Sequence, residues 1–261
     1  MGEQGGRSRR QVIVGLGRGG LAVAVLGAAG CSDGRSGTSN PSTSATGPGP
    51  PATGTGTPAT GTGTSATGAL AWERVDLGFV SAYVLVRGRE AAVVDTGVGG
   101  SADEIGRVLD ATGPGWAGVR HVVLTHHHGD HAGSIGDVLT RAPGATGYIG
   151  EADRPRVTSP RPLRPVADGT QVFGLQVVAT PGHTEGHVSV FDPDSGVLVT
   201  GDALTNDGGL SGSNPQFTAD SRAAAESVRK LAALPVRTLL FGHGEPLGTG
   251  AAAALRRLAA D

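Results

Sequence analysis

From about residue 70 onward, apolar residues come in strand-length runs bounded by Gly, Pro or Asp, and several of these runs stop just before a histidine or an aspartate. Short apolar runs with turn residues at both ends predict buried strands. Val80 to Val86 and Ala91 to Val94 flank the turn Arg87-Gly-Arg-Glu90, so they predict a hairpin that leads into Asp95-Thr-Gly97. Ala102 to Ala111 changes period: Ile105, Val108 and Leu109 fall on one face of a short helix. Val119 to Leu124 predicts a strand, and His131 to Leu139 the helix after it.

The second half repeats this theme in another order. Gln171 to Val178 is strand-like and runs into Thr180-Pro-Gly-His-Thr-Glu-Gly-His187. Val188 to Phe191 and Val197 to Thr200 predict a hairpin across Asp192 to Gly196, ending at Gly201-Asp202. Residues 203 to 218 carry no regular pattern. Ala219 to Leu234 reads as an amphipathic helix, Thr238 to Phe241 as a buried strand and Ala251 to Ala260 as a closing helix. Strand-rich halves with interspersed helices point to a layered α/β sandwich over residues 70–261.

The first 69 of the 261 residues do not fit that picture. Arg7, Arg9 and Arg10 precede a small, apolar run ending at Cys31, which reads as an export signal over residues 1–31. Ser8-Arg9-Arg10-Gln11-Val12-Ile13 resembles a twin-arginine signature. Cys31, the sole cysteine, follows Ala28-Ala29-Gly30 as in a bacterial lipobox, so the expectation is a lipid anchor at Cys31 on the outer face of the cytoplasmic membrane; the alternative is a plain secretory signal with an incidental cysteine. Residues 32–69 are almost wholly Gly, Ser, Thr, Pro and Ala, too apolar-poor to offset the entropy of ordering, and predict a disordered tether. As a flexible coil it would span about 31 to 37 Å.

Charge narrows the choice of partner. With Arg7, Arg9, Arg10, Arg18 and Glu3 set aside, 17 basic and 22 acidic residues remain, a net charge of five negative. No basic stripe recurs, so a nucleic-acid partner is not expected, and a small-molecule substrate is.

The densest chemistry lies in Thr125-His-His-His-Gly-Asp-His131, directly after the apolar run Val122-Val123-Leu124. His126, His128, Asp130 and His131 offer four ligands within six residues, and His183, Asp202 and His243 each follow a predicted strand. Neutral imidazole with carboxylate suits zinc, with manganese or iron as competitors. Seven ligands suffice for two ions.

This set of motifs resembles the metallo-β-lactamase fold superfamily: Thr125 to His131 is similar to its His-x-His-x-Asp-His signature, and Thr180 to His187, Gly201-Asp202 and Gly242-His243 are similar to its later motifs. The resemblance implies an αββα four-layer sandwich with the site on one edge. It implies that His126, His128 and His183 hold one ion, that Asp130, His131 and His243 hold the other, and that Asp202 bridges them. Asp95 matches the family's early aspartate supporting the hexad loop; a tight-turn role before Gly97 is the competing reading. Thr125 and His187 are expected to support ligands from behind, with a substrate-side place as the alternative for His187. Two neighbouring zinc ions would share a water ionised near neutral pH, with Asp130 orienting it.

The resemblance therefore implies an exported hydrolase of a small ester, thioester, lactone or amide. Asp202 in place of a cysteine makes the site look like the thioesterase and lactonase branches. Competing readings are a β-lactamase, a mononuclear iron oxygenase of the persulfide-oxidising kind, and a metal-binding surface protein without turnover. Phe79, Arg154 to Leu163 and Leu204 to Phe217 are the stretches expected to shape the substrate site, and Leu204 to Phe217 is either a lid or an ordinary surface loop. His127 is expected to point away from its neighbours, His121 to be structural or exposed, and Glu185 and Glu245 to face solvent.

Overall fold

The structure, a computed structural model, describes residues 68–260. The predicted export signal, Cys31 and all but the last two residues of the predicted tether lie outside the described residues. No helix among the described residues is long and apolar enough to cross a membrane.

The first half of the fold comprises β1 (Ala71–Asp76), β2 (Ser81–Arg87), β3 (Glu90–Val94), α1 (Ala102–Thr112), α2 (Gly115–Gly118), β4 (Val119–Val123), α3 (Gly129–Ala132), α4 (Ile135–Arg141), β5 (Thr146–Gly150) and β6 (Arg164–Val166). Its six strands form one sheet in sequence order. The pairs β1–β2 and β2–β3 are antiparallel, and β3 through β6 run parallel. The second half comprises β7 (Gln171–Val172), β8 (Leu175–Ala179), β9 (Val188–Asp192), β10 (Val197–Val199), β11 (Leu204–Thr205), β12 (Ser211–Gly212), α5 (Ser221–Ala232), β13 (Thr238–Leu240) and α6 (Ala251–Leu258). Here the sheet order is β13-β10-β9-β8-β7, with β10 and β13 parallel, while β11 and β12 form a separate small hairpin.

The layers follow from side-chain alternation along each strand. In β3, Ala91 and Val93 face a core shared with Ile105 and Leu109 of α1 and with Val138 and Leu139 of α4. Ala92 and Val94 face the opposite way, against Val177, Val190 and Val199 of the second sheet. In that sheet Val199 points inward while Leu198 packs on Val228 and Leu231 of α5 and Leu255 of α6. Because both faces of each central strand are covered, those strands carry continuous apolar runs and not a polar alternation. The architecture is an αββα four-layer sandwich.

Between the sheets, Arg87 Nη2 and Asp192 Oδ1 form a buried ion pair at 2.5 Å. Arg87 Nε also donates to Phe173 O (3.2 Å) and Nη1 to Gly68 O (2.8 Å). Asp192 accepts from the amide and hydroxyl of Ser195 in the β9–β10 turn. Each nitrogen and oxygen of the pair thus has a hydrogen-bond partner, which a buried charge requires.

Three local expectations change. The helix expected over His131 to Leu139 is two short helices: the backbone leaves the helical region at Ser134 (φ −103°, ψ 13°), whose hydroxyl donates to Val98 O (2.5 Å) and accepts from the Ser101 amide (2.9 Å). The strand over Gln171 to Val178 is a tight hairpin instead, with Phe173 (φ 56°) and Gly174 (φ 74°) at the positive-φ positions of its turn. The strands β1, β5 and β6 had no clear signal: β1 interleaves charged residues, β5 carries two glycines and β6 a central proline.

Candidate metal centre

Every functional side chain leaves the sandwich from one edge. Asp95 follows β3, Thr125 to His131 follow β4, Thr180 to His187 connect β8 to β9, Asp202 follows β10 and His243 follows β13. Backbone hydrogen bonds join the two sheets at this edge: Val188 N to Thr125 O and Ser81 N to Gly242 O, both 2.8 Å. Gly242 is needed for close approach, since a methyl group there would collide with the Asp202 carboxylate and the His131 ring.

His126 Nε2 lies 3.0 Å from His128 Nδ1, which lies 2.9 Å from His183 Nε2. The other nitrogens show which of these atoms carry protons. Thr125 Oγ1 gives its hydrogen to Asp95 (2.8 and 3.0 Å), so it accepts from His126 Nδ1 at 3.0 Å. Thr218 donates to Asn214 O and Ser213 to Thr218, so Ser213 Oγ accepts from His183 Nδ1 at 3.0 Å. His126 Nε2 and His183 Nε2 therefore present lone pairs toward His128. Burial, reinforced by neighbouring imidazoles, keeps His126 well below its ordinary range, lowers His128, and lowers His183 to about 4. At neutral pH three uncharged rings converge, an arrangement that a dication stabilises.

The second group is Asp130, His131 and His243. His131 Nδ1 donates to Asp95 Oδ2 at 2.9 Å, which leaves Nε2 facing Asp202 Oδ1 (3.2 Å) and His243 Nε2 (3.4 Å). His243 Nδ1 donates to Phe79 O at 2.7 Å, and its Nε2 faces Asp202 Oδ2 (3.3 Å) and Asp130 Oδ2 (3.5 Å). Burial disfavours a charged His131, but the carboxylates of Asp202 and Asp95 outweigh it and raise the ring well above its ordinary range. His243 is raised too, chiefly by its hydrogen bond to Asp202. Asp202 stands between the groups: Oδ2 is 3.4 Å from His183 Nε2 and Oδ1 is buried without a hydrogen-bond partner. Burial opposes its charge, yet His131 and His243 hold it well below the usual carboxylate range.

A buried, ionised and orphaned carboxylate oxygen among inward-facing imidazole nitrogens fits cations, and the donor set fits zinc, manganese or iron. Three ligand-sized clusters occur among the described residues: His126, His128 and His183; His126, His131 and Asp202; and Asp130, His131 and His243.

Two neighbours fix the frame. Asp95 also accepts from the Thr125 amide at 2.7 Å, and its backbone sits at φ 61°, a conformation that Asp and Asn tolerate better than most residues. His187 Nε2 accepts from the Asp202 amide (3.0 Å), so Nδ1 donates to Thr180 Oγ1 (2.8 Å). Burial depresses His187 to about 3, so it stays neutral and serves as a strut for Asp202; it does not line the cavity.

Sequence reasoning missed Asp153, which no motif flags. Its buried carboxylate accepts from Thr184 Oγ1 (2.6 Å), Gly186 N (2.9 Å) and His127 N (3.1 Å), tying the hexad loop to the loop carrying His183. The His127 ring turns away from the ligands, its Nδ1 3.1 Å from Asp153 Oδ2 without hydrogen-bond alignment. His121 packs against Tyr148 and Phe173, Glu185 is exposed, and Glu245 is exposed but paired with Arg74 at 2.6 Å.

A cavity of about 790 Å³ opens over both groups, walled by Phe79 and by residues between Thr205 and Phe217. Residues 154 to 163 were expected to shape it as well, but they line a separate depression whose arginines are occupied: Arg154 by Glu151, and Arg161 by the carbonyls of Ala142, Pro143 and Ala145.

The four layers and the His/Asp cluster at their edge define a sandwich protein with a candidate metal centre at its strand ends. Residues 75–243 match the metallo-beta-lactamase superfamily, and the chain belongs to it. It is 32% identical over 174 residues to the probable metallo-hydrolase YflN of Bacillus subtilis, a match covering 49% of this chain and 66% of that protein. It is 36% identical over 159 residues to a hydroxyacylglutathione hydrolase of Cereibacter sphaeroides, covering 59% and 57%. The matched region thus spans less than two thirds of either relative. Among solved structures it is similar to a metallo-beta-lactamase family protein of Thermus thermophilus, with a TM-score of 0.58 and 26% identity over 73% of this chain and 78% of that one. It is also similar to TTHA1623 in a di-iron-bound form, with a TM-score of 0.56 and 27% identity over 67% and 92%.

Proposed function

We propose that the chain is a metal-dependent hydrolase of a small ester, thioester, lactone or amide, with His126, His128 and His183 holding one cation, Asp130, His131 and His243 a second, and Asp202 shared between them. The observation that carries this reading is the convergence of three neutral imidazoles beside a buried carboxylate oxygen with no hydrogen-bond partner. When bound, such cations supply Lewis acidity and a water ionised near neutral pH.

The protein's own groups do the rest. Asp130 lines the cavity, where its carboxylate can take the attacking water's proton and pass it to the departing oxygen, nitrogen or sulfur. The bond from acyl carbon to that atom breaks as the bond to the water oxygen forms, giving a carboxylic acid and an alcohol, amine or thiol. Asp95, Thr125 and His187 hold the ligands in place, which limits reorganisation during the reaction.

The test is reconstitution of the full chain with zinc, manganese or iron, metal analysis, and a hydrolysis panel of lactones, esters, thioesters and nitrocefin. Two equivalents of metal and turnover that is lost in Asp130→Ala are expected. Trace metal after reconstitution, or unchanged turnover in that variant, overturns the reading; oxygen consumption with a persulfide in its place assigns an oxygenase.

We also propose export with a lipid anchor at Cys31, on the sequence pattern alone. Lipid labelling and membrane fractionation of Cys31→Ser test it: loss of label and release from the membrane fraction are expected, and unchanged fractionation overturns it.

A further inference from the structure

Among the described residues only Phe79, Val98 and Phe217 are large apolar side chains left exposed, and two of the three line the same cavity. Phe79, in the loop between β1 and β2, is 64% exposed although its ring lies nearly parallel to that of His243, 16° apart with centroids at 6.2 Å. Phe217, in the turn before α5, is 58% exposed. Exposed aromatic area concentrated at a cavity mouth marks a surface that a ligand covers.

Outside the assigned ligands, the cavity wall carries one charged side chain among the described residues, the exposed carboxylate of Asp207, and no lysine or arginine. Arg74, on β1 beside the β1–β2 loop, is engaged by Glu245 and Ser81. Positive charge brought by cations would be centred on the ligand atoms, where the reacting carbonyl must sit. A carboxylate elsewhere on the substrate would lose its hydration facing two phenyl rings and Asp207, with no cationic partner to compensate.

Resting on the hydrolase reading, we propose that the substrate is an uncharged acyl compound with an aryl or alkyl arm that Phe79 and Phe217 cover. The same wall disfavours substrates with a remote carboxylate, including glutathione thioesters. The chain would then differ in substrate from relatives named for a glutathione ester.

The experiment compares two thioesters with the same acyl group and reacting bond, S-phenylacetyl-N-acetylcysteamine and S-phenylacetylglutathione, on the zinc-loaded full chain. Binding of the matching non-hydrolysable thioethers is measured by calorimetry. The uncharged thioester is expected to show a kcat/KM at least about tenfold higher, and its thioether to bind about tenfold tighter, as like-charge rejection dictates. Asp207→Lys should narrow the gap. Phe217→Ala should raise KM about fivefold for the phenylacetyl thioester and less for the acetyl one. Equal or better cleavage or binding of the glutathione member overturns the proposal and leaves the hydrolase reading intact. Selective binding of the uncharged thioether without cleavage of either thioester supports the preference and removes thioesters from the hydrolase reading, which the lactone and ester panel tests separately. Absence of both binding and cleavage overturns the preference.

Discussion

Asp95 Oδ2 accepts the Nδ1 proton of His131 over 2.9 Å, and both groups are shut away from solvent. The other Asp95 oxygen takes the Thr125 amide, so one carboxylate orients His131 and anchors the start of the hexad loop. Asp95→Ala is expected to lower affinity for the ion at the Asp130, His131 and His243 group by about 10–100-fold, measured by competition with a chelator. Asp95→Asn, which tolerates the same backbone conformation, should lose less stability than Asp95→Ala. Equal loss of stability in the two would mean that the left-handed backbone at this position is not what matters.

The Arg87–Asp192 pair predicts an asymmetry in stability. Arg87→Met leaves a buried carboxylate unpaired and should cost about 3–5 kcal/mol in urea unfolding. The double variant Arg87→Met, Asp192→Leu should be more stable than the single one, because no uncompensated charge remains. A double variant no better than Arg87→Met would place the cost in the lost bonds to Phe173 O and Gly68 O instead.

Removing Asp153 should loosen both ligand loops together. Asp153→Ala leaves Thr184 Oγ1, Gly186 N and His127 N without their acceptor, and a loss of about 2–4 kcal/mol is expected. Hydrogen exchange should accelerate at the amides of His127 and Gly186 alike. Faster exchange at one loop alone would show that the carboxylate does not couple them.

Acid should strip the two groups in a fixed order. Cations need unprotonated rings, so a ring whose pKa is raised gives up its metal at higher pH than one whose pKa is depressed. His131 and His243 lie above the ordinary 6.5, whereas His183 lies near 4 and His126 well below 6.5. At comparable affinities, metal stoichiometry is expected to fall from two to one before it falls to zero as the pH is lowered, the ion at the Asp130, His131 and His243 group leaving first. Simultaneous loss of both ions would overturn the assignment of separate groups.

The sequence made the strand ends and their donors legible because both signals are local. Apolar runs that are buried on both faces, such as Ala91 to Val94 and Val122 to Leu124, stand out from their neighbours, and the histidines and aspartates just after such runs are carried to the sheet edge. The histidines and aspartates that the fold gathers at that edge were readable for the same reason.

What stayed illegible depends on contacts between distant segments. Asp153 sits in an unremarkable Glu-Ala-Asp-Arg stretch, and only folding brings it against Thr184 and Gly186. The break between α3 and α4 falls at Ser134, whose hydroxyl bonds to the distant Val98 and Ser101, and the strand β6, Arg164–Val166, forms around a proline that periodicity counts against. Likewise, residues 154 to 163 look like a site loop in sequence, but the fold seats them elsewhere.

The hydroxyl of Ser213 receives the Nδ1 proton of His183, and Ser213 belongs to the same stretch that supplies Phe217 to the cavity wall. The roof that would select the substrate is therefore bolted to a ring of the candidate metal centre and not only to the scaffold beneath it. Anyone transplanting a different roof from a related protein to change specificity would have to bring along a replacement acceptor for that imidazole, or the graft would disturb ion retention along with selectivity.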